Sequence, residues 1–319
     1  MIGVEILASA HYVPPRVVTN DEISTWVDTS DEWIVKRTGI SARHISEGEN
    51  TSDLCVHVAR GLLEKSEICP LEIDLIIVAT LTADYLTPSA ACMVQETIGA
   101  ANAVAFDLNA ACTGFVYGFS AAHKYLLSGQ YRKVMLIGAE LLSKYTDWTD
   151  RNTCVLFGDG AGGVILTARR GSLYEEKLHT RGARHITAYY QEVINPFCVK
   201  EREMDYIKVD GREVFDFAVK SVSENIEEVL KKSGHTMEDI AYVIPHQANG
   251  RIIEGIAKKM RVGLSKFYVN IEKFGNTSSA SIPIAFDEMT AKGLVKSGDK
   301  VIFAGFGGGL TWGCILIEL

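Results

Sequence analysis

"DLNAACTGFVYGFSAAHKYLLSGQYRKVMLIGAE", residues 107–140, decides the fold, because its order of elements returns in "YVNIEKFGNTSSASIPIAFDEMTAKGLVKSGDKVIFAGFGGG", residues 268–309. Each stretch runs from small residues into a helix-like pattern, then an "SG" turn, then a "KV" that opens an apolar run. Cys112 precedes its Val134 by 22 residues, and Asn276 precedes its Val301 by 25. Both stretches follow an acidic-led apolar run, "EIDLIIVAT" (72–80) and "DIAYVIPH" (239–246). Such self-similarity predicts duplication of one α/β unit. Runs such as "VMLIGAE" (134–140), "GGVILTA" (162–168) and "VIFAGFGGG" (301–309) are apolar throughout, as strands covered on both faces by helices must be. The halves are expected at 1–170 and 171–319, joined by a charged, irregular connector over about 169–205.

Composition agrees with two fused units: the chain has 319 residues, against about 150 per domain. It is 47% hydrophobic and 23% charged, an ordinary soluble balance. A net charge of −8 argues against a general nucleic-acid or anionic-membrane binder. No apolar run nears the roughly 18–20 residues of a membrane span, and "MIGVEILASAHYVPP" lacks the basic start of a signal peptide. Seven cysteines (55, 69, 92, 112, 154, 198, 314) are scattered, odd in number and without a CxxC, which excludes a zinc ribbon and argues against a disulfide framework. A reduced, cytoplasmic protein is expected.

Duplication brings equivalent strand ends together, where open α/β sheets place ligands. Cys112 comes from the first half, His246 and Asn276 from the second. A thiol at a helix N-terminus meets unpaired N–H groups that favour thiolate, and the small neighbours Ala110, Ala111, Thr113 and Gly114 leave room for a carbonyl. Taken singly, each residue has a plainer reading: a buried cysteine, a histidine capping a strand, an asparagine in a turn. Together, two neutral donors near a cysteine can hold a developing negative charge. The run "GFGGGLTWG" (305–313) is no P-loop, since no Lys-Ser or Lys-Thr follows at the required spacing; N–H groups of Gly307–Gly309 suit an oxyanion instead. "FGDGAGG" (157–163) reads as a tight turn with close backbone packing.

The blocks "NAACTGF", "HQANGRI", "FGNTSSAS", "FGGGLTWG", "DTSDEWIVKRTGI" and "DRNTCVLFGDGAGG", in this order of halves and spacing, closely resemble the β-ketoacyl-acyl carrier protein synthase III family, over residues 3–317 and least across 169–205. The resemblance implies a duplicated thiolase-like fold, αβαβα in layers with two mixed sheets, as a homodimer. It implies an initiating condensing enzyme of bacterial type II fatty acid synthesis. Cys112 would be acylated by an acyl-CoA, while His246 and Asn276 would assist decarboxylation of malonyl-acyl carrier protein. Backbone N–H groups of Cys112 and Gly308 would hold the tetrahedral oxyanion. No metal or cofactor is implied; the CoA thioester is a substrate. Matching positions assign Thr29, Trp33, Arg37 and Arg151 to CoA, and Gln247, Arg251, Lys258 and Lys259 to carrier docking.

The residues at the entrance support that assignment. Thr29 and Glu32 fit a capping box, and Trp33 and Arg37, at i and i+4, share a helix face where a purine can stack. Residues 250–266 carry Arg251, Lys258, Lys259, Arg261 and Lys266 against Glu254, a basic patch in an acidic chain suited to an acidic carrier. Two departures stand out. Asp216 replaces a basic residue of well-known members, weakening that patch, and Thr87 stands where acetyl-specific relatives have Phe closing the partner's acyl tunnel. Primers longer or more branched than acetyl are expected to fit. A papain-like reading of Cys…His…Asn lacks that family's cysteine signature and needs no repeat. Glu96 does not reproduce the pattern of hydroxymethylglutaryl-CoA synthase, and a CoA-binding regulatory relative would be expected to lose Cys112 or His246. A related thiolase-fold acyltransferase or starter synthase of secondary metabolism shares the Cys-His-Asn set and stays open.

Overall fold

The structure is a computed structural model that describes residues 2–188 and 206–319. Nine strands build its two main sheets: β1 Ile2–Tyr12, β2 Leu75–Ala79, β3 Val104–Leu108, β4 Val134–Leu141, β5 Asp159–Arg170, β6 Tyr174–Ala183, β7 Tyr242–Pro245, β8 Lys300–Gly307 and β9 Gly309–Glu318. The first sheet runs β3-β2-β4-β5-β1, and the second runs β7-β8-β9-β6. In the first, β2 lies parallel to β3 and β4, β5 is antiparallel to β4, and β1 is antiparallel to β5. In the second, β7 is parallel to β8, with β9 and then β6 antiparallel. A single parallel bridge, Val243 to Phe267, stands where β3 has its counterpart. The two sheets thus repeat one topology.

The period-2 alternation explains the layers. Leu75 and Ile77 of β2 face a central core with Phe115, Phe119, Phe286 and Phe303, while Ile76 and Val78 face an outer core. Seven helices matter here: α1 Asp31–Thr38, α2 Thr51–Ser66, α3 Ala90–Ile98, α4 Gly114–Leu127, α5 Gly211–Ser233, α6 Gly250–Met260 and α7 Ser281–Ala291. Helices α4 and α7 fill the space between the sheets, α2 and α3 cover the first sheet, and α5 and α6 cover the second. This is an αβαβα sandwich. Helix α4 is buried on nearly every side, with Leu127 at its end exposed.

One expectation is overturned. Residues 174–183, read as irregular connector, form the edge strand β6. Its charges hid it: Glu175, Glu176, Lys177 and Arg181 line a sheet edge, where charge blocks unwanted pairing. The rest of that stretch, 189–205, lies outside the described residues.

Asp287 of α7 ties the second half to the first. Its buried carboxylate accepts from Ser9 Oγ at 2.7 Å, His11 Nδ1 at 2.7 Å and Lys65 Nζ at 2.8 Å. Burial alone would raise its pKa; the His11, Lys65 and Ser9 bonds outweigh that and hold it at about 2. A depressed carboxyl stabilises the fold above its unfolded pKa and ceases to do so as pH falls through the folded value. Asp287→Asn is therefore expected to lower the unfolding free energy at pH 7 by about 2 kcal/mol in urea titrations, at about 1.36 kcal/mol per pKa unit, with the deficit shrinking below about pH 4.

Candidate active site

Cys112 sits where β3 ends and α4 begins. Ala111, with φ of 46°, turns the chain in the left-handed region, and a short 3-10 turn over Ala111–Thr113 carries the thiol to the helix start. Thr113 fastens this turn to the second half: its Oγ1 lies 3.1 Å from Thr311 O and 2.9 Å from Thr311 Oγ1. Gly307 passes so close that a Cβ there would fall 2.9 Å from Cys112 N, so no side chain fits. Gly308 follows beside Ala111.

Burial pushes the Cys112 thiol up to about 12; a hydrogen bond from Ser278 pulls the other way, and the nearby Glu140 carboxylate adds to the rise. The expected resting thiolate is thus corrected. The cost of desolvating the anion exceeds what one helix terminus returns.

His246 follows β7, its N–H bonded to Ala304 O at 2.8 Å and its ring edge-on to Phe306. It is 1% exposed, and burial holds its pKa down at about 3, so the imidazole is neutral at working pH. Nδ1 lies 2.7 Å from Ser281 Oγ. That hydroxyl also accepts from the Gln247 N–H at 3.3 Å, and its own proton is free to point to Nδ1. With the hydroxyl donating to Nδ1, the neutral ring carries its hydrogen on Nε2, as a donor.

Asn276 is held by backbone pairing. Its N–H donates to Leu156 O at 2.9 Å, and its carbonyl accepts from Gly158 N at 3.0 Å. The Ser278 N–H donates to Asn276 Oδ1 at 2.9 Å. The amide oxygen is engaged, so Nδ2 is the group left to donate into the cavity.

Cys112, His246 and Asn276 line one cavity with Ser278, Phe306 and Gly307, enclosing about 800 Å³ with its open mouth. Leu81, Leu142, Leu156, Phe157, Ile207 and Ile252 make its walls apolar.

A second groove opens nearby. Helix α1 starts at Ser30, whose Oγ accepts from Trp33 N at 3.2 Å; the expected Thr29–Glu32 capping box does not form, and Thr29 Oγ1 is buried without a partner among the described residues. The Arg37 guanidinium lies 4.3 Å from the Trp33 ring centroid and that of Arg151 5.0 Å. Arg151 also donates to Asp28 O at 2.9 Å. Arg251 shares this groove with Trp33, Lys36 and Arg37. Asn249 joins the two spaces: it lines the cavity and donates to Arg37 O at 3.1 Å.

The basic patch is smaller than the sequence promises. Arg251 and Lys258 are exposed, Lys259 lies 3.7 Å from Glu224, and Lys266 is spent on Ile240 O. Gln247 is not a docking residue: it is 1% exposed and its amide bonds to Pro245 O, Tyr268 O and Asn270 N. Asp216 is exposed on α5, and Thr87 lies on an exposed loop before α3, outside its own chain's cavity lining. Sequence reasoning missed Asn249, Ser278, Ser281 and Glu140. Only Glu140 carried a signal, a carboxylate closing an otherwise apolar buried run.

A duplicated α/β sandwich with a cysteine, a neutral imidazole and an amide at the meeting of its halves defines a thiolase-like condensing acyltransferase. Residues 106–182 match the family described as 3-oxoacyl-(acyl-carrier-protein) synthase III, and residues 230–319 match its C-terminal part. The chain belongs to the β-ketoacyl-acyl carrier protein synthase III family. The member from Clostridium novyi (strain NT) is 50% identical over 323 residues, spanning 100% of this chain and 99% of its own. That from Streptococcus mutans is 48% identical over 100% of both chains. The crystal structure of the Aquifex aeolicus synthase III superposes with a TM-score of 0.92 at 42% identity, covering 99% of this chain and 100% of that one. No helix among the described residues is long and apolar enough to cross a membrane.

Proposed function

We propose that this protein starts fatty acid synthesis by condensing an acyl-CoA primer with malonyl-acyl carrier protein through an acyl-Cys112 intermediate. The observation that carries this reading is the common cavity of Cys112, a neutral His246 and Asn276. Cys112 Sγ attacks the acyl-CoA carbonyl, and its proton leaves with the CoA sulfur as free CoA thiol. Malonyl thioester then loses CO2. The electrons of the broken C–C bond pass into an enolate whose oxygen accepts from His246 Nε2–H and Asn276 Nδ2. The enolate carbon attacks the acyl-Cys112 carbonyl, and the oxyanion is held by the N–H groups of Cys112 and Gly308. Collapse releases 3-ketoacyl-carrier protein, and Cys112 takes up a proton. A neutral imidazole suits this work, because an imidazolium would protonate the carbanion instead.

The remaining assignments belong to the same reading. Trp33, Arg37 and Arg151 hold the CoA adenine end, with Thr29 beside them, while Arg251, Lys258 and Lys259 receive the carrier. The working form is a cytoplasmic homodimer, in which Thr87 borders the partner's acyl pocket and leaves room for primers beyond acetyl. A second reading, as a starter synthase, draws on the priming β-ketosynthase of the R1128 polyketide pathway, 33% identical with a TM-score of 0.90.

Intact-mass analysis after mixing with acetyl-, isobutyryl- or hexanoyl-CoA tests the proposal. Wild-type protein should gain one acyl group and Cys112→Ser none. Isobutyryl or hexanoyl loading at least as fast as acetyl supports the Thr87 argument, and strict acetyl preference removes it. No loading from any CoA would remove the initiating reading and favour a carrier-bound donor.

A further inference from the structure

Resting on that reading, we propose that Glu140 is a positioning residue for condensation: its buried carboxylate holds the 276–281 turn in the arrangement that aims the Asn276 and His246 donors into the cavity. Glu140 is the last residue but one of β4 and is fully buried. It touches neither cavity nor solvent, and no cation among the described residues forms an ion pair with it. Five hydrogen-bonding groups surround it instead. One oxygen accepts from Leu81 N at 3.1 Å, Thr82 Oγ1 at 3.0 Å and Thr80 Oγ1 at 3.3 Å. The other lies 3.2 Å from Ser278 Oγ and 3.0 Å from Ser279 Oγ, a hydroxyl that also reaches Ala79 O at 2.8 Å. The first set belongs to the first half of the chain; the second lies in the turn that follows Asn276.

That turn needs holding. Ser278 has φ of 50°, a left-handed conformation that a serine adopts only under restraint. Its N–H fixes Asn276 Oδ1, and three residues on Ser281 fixes His246 Nδ1. The face of β4 is shaped for the same turn. At Gly138, two residues before Glu140, a Cβ would lie 2.4 Å from Ser279 O, so the turn packs directly on the strand and then meets the carboxylate. One buried acid therefore sets which atom of the amide and which nitrogen of the imidazole face the substrate.

Glu140→Gln is nearly isosteric but replaces one carboxylate oxygen by an NH2, which can no longer accept from the groups on that side. Glu140→Asp keeps both acceptors on a shorter stem. Two half-reactions are measured separately: acyl loading by intact mass, and CO2 release from malonyl-carrier protein by pre-acylated enzyme in a single turnover. Glu140→Gln should load within about threefold of wild type yet release CO2 about 10–100-fold more slowly, the range for a hydrogen bond to a charged group. Glu140→Asp should recover most of that loss. Equal losses in both steps, or none in either, would overturn the proposal, since a merely structural acid does not separate the steps. Imidazole 15N NMR of His246 reads the same claim without turnover. Wild type should show one Nε2–H tautomer and Glu140→Gln a mixture. An unchanged spectrum overturns the positioning role even if the enzyme proves to use another donor or acceptor, whereas failure of wild type to load any acyl-CoA strikes only the proposed function.

Discussion

His246→Ala and Asn276→Ala proteins are each expected to load the acyl group onto Cys112 at close to the wild-type rate and to release CO2 from malonyl-carrier protein at least about 100-fold more slowly. The separation follows from the state of the imidazole. Were His246 the base for Cys112, it would take a proton from a thiol held at about 12 onto a ring held at about 3. At about 1.36 kcal/mol per unit, that transfer costs on the order of 12 kcal/mol before any attraction between the ions formed. No such debt arises if His246 only donates Nε2–H to an oxygen. Removing one donor from an oxyanion site costs about 100–1,000-fold, and Asn276 should match His246 because the two face one oxygen. The defect of His246→Ala should also be flat from pH 6 to 9, since the lowered pKa leaves nothing to titrate there. Rapid-quench measurement of both half-reactions decides the matter. Equal slowing of loading would make His246 a base and sink the donor assignment.

The fold was legible because duplication leaves two imperfect copies to compare. The matching runs around Cys112 and Asn276 became topologically equivalent sheets, down to the order of parallel and antiparallel neighbours. What hid from inspection was whatever lacked an apolar signal. β6 carries its charges on a sheet edge, and the counterpart of β3 shrinks to one bridge at Phe267. At the site, residue types and chain positions were readable, but electrostatic balance was not. A helix terminus beside Cys112 suggests thiolate; only the surrounding burial reveals that desolvation wins. Position in the family motif "HQANGRI" assigns Gln247 to carrier docking, and that string carries no signal of burial. Three interior hydrogen bonds spend its amide instead. Ser278 and Ser281 look alike in "NTSSAS", and nothing in that string tells which atom each one fixes.

Gly158→Ala should be the most disruptive single added methyl among the glycines of the described residues. A Cβ at Gly158 would stand 2.2 Å from Phe274 O and 3.2 Å from Arg43 Cβ. Neither neighbour can yield cheaply. The first is backbone, and Arg43 is a fully buried guanidinium tied to Val18 O, Asn20 Oδ1 and Val155 O. The chain must therefore part along the Phe157–Asn276 bridge, the same contact that seats the Asn276 amide. Overpacking of this kind costs about 3 kcal/mol or more when backbone must move. A displacement of about 1 Å at a catalytic group costs on the order of 100-fold in rate. Urea unfolding and single-turnover condensation should thus fall together in Gly158→Ala. Gly182→Ala is the matched control: nothing lies within 4 Å of a Cβ there, and its stability should stay within about 0.5 kcal/mol of wild type. If Gly158→Ala kept both stability and rate, the close approach at Gly158, just before β5, would bear on neither fold nor site. If it kept stability but lost condensation while still loading acyl groups, the bridge would act on Asn276 alone, and the close packing of "FGDGAGG" would be a device for aiming one amide.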